Sequence, residues 1–417
     1  MNLCKFTQSL LKYTLLSILL FAPLHAKAGD RLDSSNDPCP QDENRIPLLR
    51  EEQDEPLDSS HHQEDMLAHP ANLLALPQDP GDVIRSFLFC KDLASLANVC
   101  SQFHKDGNQY LRKLIVQIAA GDYHSGIVLN TGEVLFWGSN EHGQCTVPHE
   151  VRYEHIKAIA AGFYHSLALT DDGKLFAWGN NHFGQCNLPN ELLNDGAPRV
   201  KSIAAGWEHS FALTEDGQLL AWGHSYFGQS TVPQQLQHTR VKNIAAGGSH
   251  SLALTDDGKL FPWGYNEFGR TTIPQELLYK SFKTIAAGAY HSLALTEDGQ
   301  LFAWGSNSSG QCELPQELLN ANFKAIAAGF AHNLALTDDG RIFVWGYNSS
   351  GQCELPHELQ NGDVKVKSIA AGYAHSLALT DDGRIFAWGN NYNGQCDVPR
   401  IFSAAPPSSS FICCTIL

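Results

Sequence analysis

The seven-fold recurrence of one unit between Leu114 and Pro399 constrains this chain more than any other feature. Trp137, Trp178, Trp222, Trp263, Trp304, Trp345 and Trp388 stand in apolar-Trp-Gly settings at intervals of 41, 44, 41, 41, 41 and 43 residues. His124, His165, His209, His250, His291, His332 and His375 keep the same six intervals, so the whole unit repeats rather than one residue. An array of short units makes one domain, and the length of 417 residues therefore gives no domain count.

The second unit shows the local logic. His165, Leu167 and Leu169 alternate with Ser166, Ala168 and Thr170, which is the period of a strand. Asp172-Gly173 supplies a tight hairpin turn, because glycine accepts the positive φ that such turns require, and Lys174 to Trp178 returns as the partner strand. Ala160-Ala161-Gly162 is small-sided and recurs in every unit, which places it innermost, where converging sheets leave least room. The Trp strand lies further out, where a large ring fills the gap between blades. Four short strands per unit, seven times over, predict an all-β, seven-bladed β-propeller spanning residues 114–405, a ring with only short protected edges. Ile401 to Ala405, I-F-S-A-A, reads as a fragment of an eighth inner strand that helps close the ring.

The pattern A-A-G-x-x-H-S-L-A-L-T-x-D-G-x-L-F-x-W-G-x-N-x-x-G-Q resembles the regulator of chromosome condensation repeat, in register seven times. The Trp-Asp dipeptide of the other common propeller type is missing at these positions. Departures are Gly126 and the Asn130-Thr131-Gly132 turn in the first unit, and Pro262 with Arg270-Thr271 in the fourth. The resemblance implies a protein-binding ring, with a small GTPase of the Ran type as partner. The family's chromatin-bound exchange factor uses a projecting wedge. Here the only extra residues are three before the third unit and two before the seventh.

The repeated polar residues read as structural. Seven histidines spread around a ring lie too far apart for one metal shell, and hydrogen bonds to neighbouring backbone are expected for them. Cys145, Cys186, Cys312, Cys353 and Cys396 share a slot with Ser230 and Thr271, which indicates a small buried side chain. The pairs Asp171-Asp172, Glu215-Asp216, Asp256-Asp257, Glu297-Asp298, Asp338-Asp339 and Asp381-Asp382 precede turn glycines and fall along one rim, and they lack the D-x-D-x-D-G spacing of a calcium loop. No phosphate-binding loop, zinc-protease helix or nucleophile elbow occurs. Covalent catalysis, a cofactor and a metal are accordingly not expected, and the formal net charge of -16 argues against a nucleic-acid partner.

Before the array the spacing turns helical. Val83, Ile84, Phe87 and Leu88 share one face, and Asp92 opens a second run with Leu93, Leu96, Val99, Cys100 and Phe103. With Leu76-Pro77 ahead and Leu111-Arg112-Lys113-Leu114 behind, residues 70–114 resemble an F-box, the helical module that docks on the Skp adaptor of cullin-type ubiquitin ligases. Pro80-Gly81 adds a residue to that pattern, and a helical cap on the first blade is the alternative. The segment 29–69 reads as a disordered linker, since Asp30 to Asp65 holds 12 acidic residues against three arginines.

The two ends give opposed signals. Residues 406–417 form a Pro/Ser-rich tail ending in Cys414-Thr415-Ile416-Leu417, a prenylation box whose final leucine favours geranylgeranyl. One chain anchors only marginally, and no polybasic run precedes the box, so Cys413 is the candidate palmitoylation site. Residues 1–28 combine Lys5 and Lys12, an apolar run to Ala22 and Ala26-Lys27-Ala28, resembling a secretory signal cleaved after Ala28. One reading accommodates most of this: the chain resembles a bacterial effector that acts on the cytosolic face of a eukaryotic host membrane. Three functions follow as expectations: binding and activation of a Ran-type GTPase, substrate adaptation for a ubiquitin ligase, or action as a secreted binding propeller.

Overall fold

The computed structural model describes residues 115–194, 196–318, 321–399 and 402–403. The signal-like segment, the acidic linker, the F-box-like residues from Leu76 to Phe103 and the tail cysteines Cys413 and Cys414 lie outside the described residues.

Seven antiparallel sheets follow one another along the chain, each made from a single repeat, and together they form a seven-bladed all-β propeller. In the second blade the inner strand is Ile156–Ala161, the middle strand His165–Thr170 and the outer strand Leu175–Gly179. Each inner strand shifts register once near its start, here between Ile156 and Ala158, a bulge that adds local twist. The small A-A-G segments line the central channel, as their size predicts.

Each blade has three strands among the described residues, not the expected four. After Gly179 the chain closes on itself: Asn181 Oδ1 accepts the Cys186 N–H at 2.9 Å, and Gln185 Oε1 accepts the Phe183 N–H at 2.9 Å. Local side-chain acceptors thus take the donors that a fourth ladder would use, and Pro189 has none to offer.

The core lies between blades. All six residues of each middle strand are buried, because each sheet is covered on both faces. Leu167 and Leu169 point toward the third blade and meet Ala212 and Trp222, whereas Ala168 points back and leaves room beside Trp178. Large side chains therefore face small ones at every junction, which is what interior packing density demands. Burying a tryptophan removes roughly 150–250 Å² from water, about 4–6 kcal/mol of transfer free energy. The departures obey the same rule. A Cβ on Gly126 would sit 2.6 Å from Phe136, whose ring occupies the missing leucine's place. Pro262 lies on an outer strand, where its missing N–H breaks no inner ladder.

Phe402 is fully buried, and its carbonyl accepts the Ile385 N–H at 2.9 Å, so the segment after Pro399 lies along the outer strand Ile385–Gly389. The expected eighth inner strand is thereby corrected. Phe402 stands three residues after a proline, as Val151, Leu236, Leu277, Leu318 and Leu359 do in earlier blades, and it fills the same apolar slot. The ring closes through side chains and backbone: the Tyr373 N–H reaches the Asp122 carbonyl at 3.3 Å, and Lys367 Nζ reaches the Ile115 carbonyl at 3.2 Å.

Candidate protein-docking face

The repeated histidines stitch the blades together. His165 Nε2 lies 2.9 Å from Ser210 Oγ of the next blade, and Ser210 Oγ donates to the Gln185 carbonyl at 2.9 Å, which also accepts Trp222 Nε1 at 2.9 Å. The serine has spent its one proton, so the imidazole must donate from Nε2. The junction between the fifth and sixth blades fixes this assignment independently. There Asn333 Oδ1, which can only accept, lies 2.6 Å from His291 Nε2. The same link joins the last blade to the first, His375 to Ser125 at 3.0 Å. The expected partner was backbone; the structure corrects this to the hydroxyl or amide that follows the next repeat's histidine, because the ring edge faces sideways across the junction. Each Nδ1 is buried without a partner. Burial pulls these imidazoles far below their ordinary range, to about 3 for His124, His209, His332 and His375 and about 4 for His165 and His291. They are neutral structural groups, not ligands.

The glycine before each histidine is a steric requirement. A Cβ on Gly162 would lie 2.3 Å from the His165 ring and 2.5 Å from the Gly206 carbonyl of the next blade. The repeated cysteines donate from Sγ to backbone carbonyls, Cys186 to Asn180 at 3.2 Å, and they are half-buried rather than fully enclosed. Burial raises their thiols to about 11 or 12, which leaves them protonated and unreactive. The paired carboxylates do lie on one rim, where Asp172 accepts from Thr170 Oγ1 and holds the turn, and that hydroxyl is the first cause that lowers its carboxyl.

The opposite rim carries the asymmetry. Between each Gly and His stand two residues, and these vary while the Gly and His that bracket them do not: Asp122-Tyr123, Phe163-Tyr164, Trp207-Glu208, Gly248-Ser249, Ala289-Tyr290, Phe330-Ala331 and Tyr373-Ala374. Five of their rings close a collar over the channel mouth. Tyr123 meets Phe163 at 5.3 Å, Phe163 meets Trp207 at 5.7 Å, Trp207 stacks on Phe330 at 6.2 Å, Phe330 meets Tyr373 at 4.1 Å, and Tyr373 stacks on Tyr123 at 5.5 Å. The fourth blade gives no ring, only Gly248 and Ser249, while the fifth adds Tyr290, which meets Trp207 at 5.6 Å and Phe330 at 5.0 Å. Trp207 bridges that gap, with its indole 3.2 Å from where a Cβ on Gly248 would stand. Beneath the collar is a cavity of about 100 Å³ walled by the A-A-G segments, with Asp122 at its edge. Asp122 is partly exposed as a residue, yet its Oδ2 is inaccessible and unpartnered. Burial pushes this carboxyl up to about 7, against the lowering effect of a hydrogen bond from Trp207.

The loops after the Trp strands flank the collar, since the Asn180 N–H donates to the Tyr164 carbonyl at 2.8 Å and the His224 N–H to the Glu208 carbonyl at 2.8 Å. They add the exposed rings of Phe183, Tyr226, Phe227, Phe268, Tyr347 and Tyr392. All ten lysines among the described residues lie toward the other rim, in inner-strand starts, the connections ahead of them and Asp-Gly turns. Among the described residues Arg270 is the one arginine on the aromatic side, and it is buried, its guanidinium 4.9–5.8 Å from the rings of Tyr265, Phe268 and Tyr290. The ring thus has an aromatic, acidic face and a mixed-charge face. Exposed aromatic clusters of this kind mark protein contact surfaces. Sequence reasoning did not single out the collar, although the variable pair between constant Gly and His was its signal. Among the described residues, no group of three or more His, Cys, Asp or Glu could hold a metal ion.

Seven blades, a capped axis and one aromatic face define a β-propeller interaction module. The chain belongs to the RCC1-like domain family, whose model matches residues 96–317 and 190–399. Among solved structures it is similar to human WBSCR16, with 22% identity, a TM-score of 0.54 and coverage of 64% of this chain and 87% of that one. It is also similar to Prp20p from Saccharomyces cerevisiae, whose structure was described together with its binding properties to Gsp1p and histones, with 20% identity, a TM-score of 0.53 and coverage of 69% and 84%. The CRINKLY WD40 ectodomain of the Arabidopsis thaliana receptor kinase ACR4 matches at 19% identity and a TM-score of 0.53, with coverage of 67% and 97%. No curated protein matches the chain.

Proposed function

We propose that this propeller binds a small GTPase of the Ran type through its aromatic face and regulates its nucleotide state. The observation that carries the reading is the collar itself: at the channel mouth a variable residue pair stands between a constant Gly and a constant His in every repeat, so an invariant scaffold presents one particular aromatic surface. Family membership and the likeness to Prp20p, a binder of Gsp1p, support the choice of partner. The extra residues of the array, near Leu193–Arg199 and Asn361–Lys365, precede inner strands and so lie toward the other rim. No wedge is built on the aromatic face among the described residues, and the reading is accordingly one of binding first and nucleotide release second. Full-length chain immobilised against the GTPase in GDP-loaded, GTP-loaded and EDTA-stripped forms tests it: the stripped form is expected to bind most tightly, and absence of binding in all three states refutes it.

The same reading gives the flanking segments their roles. The F-box-like residues Leu76, Pro77, Val83, Ile84, Phe87, Leu88, Leu93, Leu96, Val99 and Phe103 recruit a Skp adaptor, and lipid on Cys414, helped by Cys413, holds the chain at a cytosolic membrane surface. Replacing Leu76, Pro77 and Leu93 with alanine should abolish Skp co-purification; retention of Skp by that variant removes the F-box role. An unmodified Cys414 together with cleavage after Ala28 would return the chain to the class of secreted binders.

A further inference from the structure

Beside the collar, a cleft of about 210 Å³ runs along the second blade to the edges of the first and third, lined by His142, Tyr164, Asn180, Phe183, Trp207 and Glu208 among others. We propose that this cleft receives one arginine side chain from a basic segment of the docking partner, with Glu208 as its counter-ion and the rings of Tyr164 and Trp207 as its walls. The proposal rests on the aromatic face being the docking face.

Three observations carry it. The first is charge: the face bears Asp122, Glu141, Glu208 and Glu267, lysine is absent from it among the described residues, and Arg270 on it is buried, so a basic partner meets net attraction. The second is the position of Glu208. It alone places a carboxylate next to the repeat histidine, where the other blades carry Tyr, Ser or Ala, and it does so at the floor of a ring-walled cleft. His224 Nδ1 lies 3.1 Å from one of its oxygens, which orients the group. Burial raises its carboxyl, opposed by His182 nearby, so the carboxylate gains from an added cation. The third observation is an arginine already held in this manner. Arg270 lies among Tyr265, Phe268 and Tyr290, donates to the Glu267 and Ala289 carbonyls at 2.9 and 3.2 Å, and has the Glu267 carboxylate at 3.5 Å from Nη2. The cleft offers the same components, rings with one carboxylate, with His224 rather than an arginine beside that carboxylate. A guanidinium suits flat walls better than an ammonium does, because it stacks on a ring face and still directs planar N–H bonds at a carboxylate.

The test uses the full chain and fluorescein-labelled Gly/Ser peptides bearing three arginines, three lysines or three citrullines, read by fluorescence polarisation without any GTPase present. The arginine peptide is expected to bind about tenfold more tightly than the citrulline peptide, the sum of one charge-assisted hydrogen bond and one cation–π contact less their solvation. Glu208→Gln and Tyr164→Leu should each remove most of that advantage, while Glu297→Gln on the far rim leaves it intact. Equal binding of arginine and lysine peptides, or an arginine preference that survives both cleft variants, overturns the proposal. Since no GTPase enters the assay, a chain that selects arginine but binds no GTPase would refute only the choice of partner.

Discussion

Acidification from pH 7 to pH 5 should unfold the ring through its seven buried imidazoles. All are held neutral, with folded values of about 3 or 4 where a figure applies and well below the ordinary range for His250. In the unfolded chain each takes up a proton near pH 6.5, while the folded ring refuses it. The unfolded state therefore binds more protons between these limits, and stability falls as the pH falls through 6.5, by up to about 1.4 kcal/mol per pH unit per imidazole. Integrated over seven groups, the loss between pH 7 and pH 5 is about 13 kcal/mol. Asp122 acts in the opposite sense, because its raised folded value means the folded state gains protons first. It returns about 2 kcal/mol over the same range. The turn carboxylates, whose folded values are lowered, keep their contribution down to about pH 4 and do not enter. The net loss of about 11 kcal/mol matches the whole stability of a typical domain. Urea unfolding of the full chain, followed by tryptophan emission, should therefore show a fall of about 4 kcal/mol between pH 7 and 6 and a collapse of the midpoint by pH 5. A midpoint that is constant between pH 7 and 5.5 would refute the neutral, Nε2-protonated assignment.

Asp122→Asn should stabilise the ring by about 2–4 kcal/mol at pH 8 and by little at pH 4, since the amide keeps an acceptor for Trp207 without a charge to bury; pH-dependent thermal melts check the difference. Arg270→Gln restores the residue found in the other six repeats, and its side-chain oxygen can take the Phe268 N–H as Gln185 takes that of Phe183, so denaturant unfolding should change by no more than about 1 kcal/mol. In a eukaryotic cytosol, Cys414→Ser should release the chain fully from membranes, and Cys413→Ser should make its binding weak and reversible, as read by fractionation with intact-mass spectrometry.

The blade was legible because its signals are local. Alternation in His165–Thr170, the Asp172-Gly173 turn and the small Ala160-Ala161-Gly162 segment each fix a strand or its place without knowledge of distant residues. The collar was not, because it joins residues such as Trp207 and Phe330 that meet only after the ring has closed. The fourth strand failed for a related reason: strand count was read from unit length, whereas Asn181 and Gln185 spend the backbone donors of that stretch on local turns. Phe402 was misplaced because I-F-S-A-A matches an inner strand by its small residues, while its distance from Pro399 matches the apolar plug of the preceding blades. The histidine partners were hidden because Ser210 neighbours His209 in sequence but serves His165 in space.

The central claim is that one face of the ring, and not the other, docks the GTPase. Affinity for the nucleotide-free GTPase should be measured for the full chain, for Trp207→Ala with Phe330→Ala, and for Asp338→Asn with Asp339→Asn on the far rim. Loss of two collar rings is expected to weaken binding by at least about a hundredfold, as truncation of paired aromatic hot spots does, whereas the far-rim pair should change it less than about threefold. Binding that survives in the collar variant, or that is lost in the far-rim variant, would contradict the account.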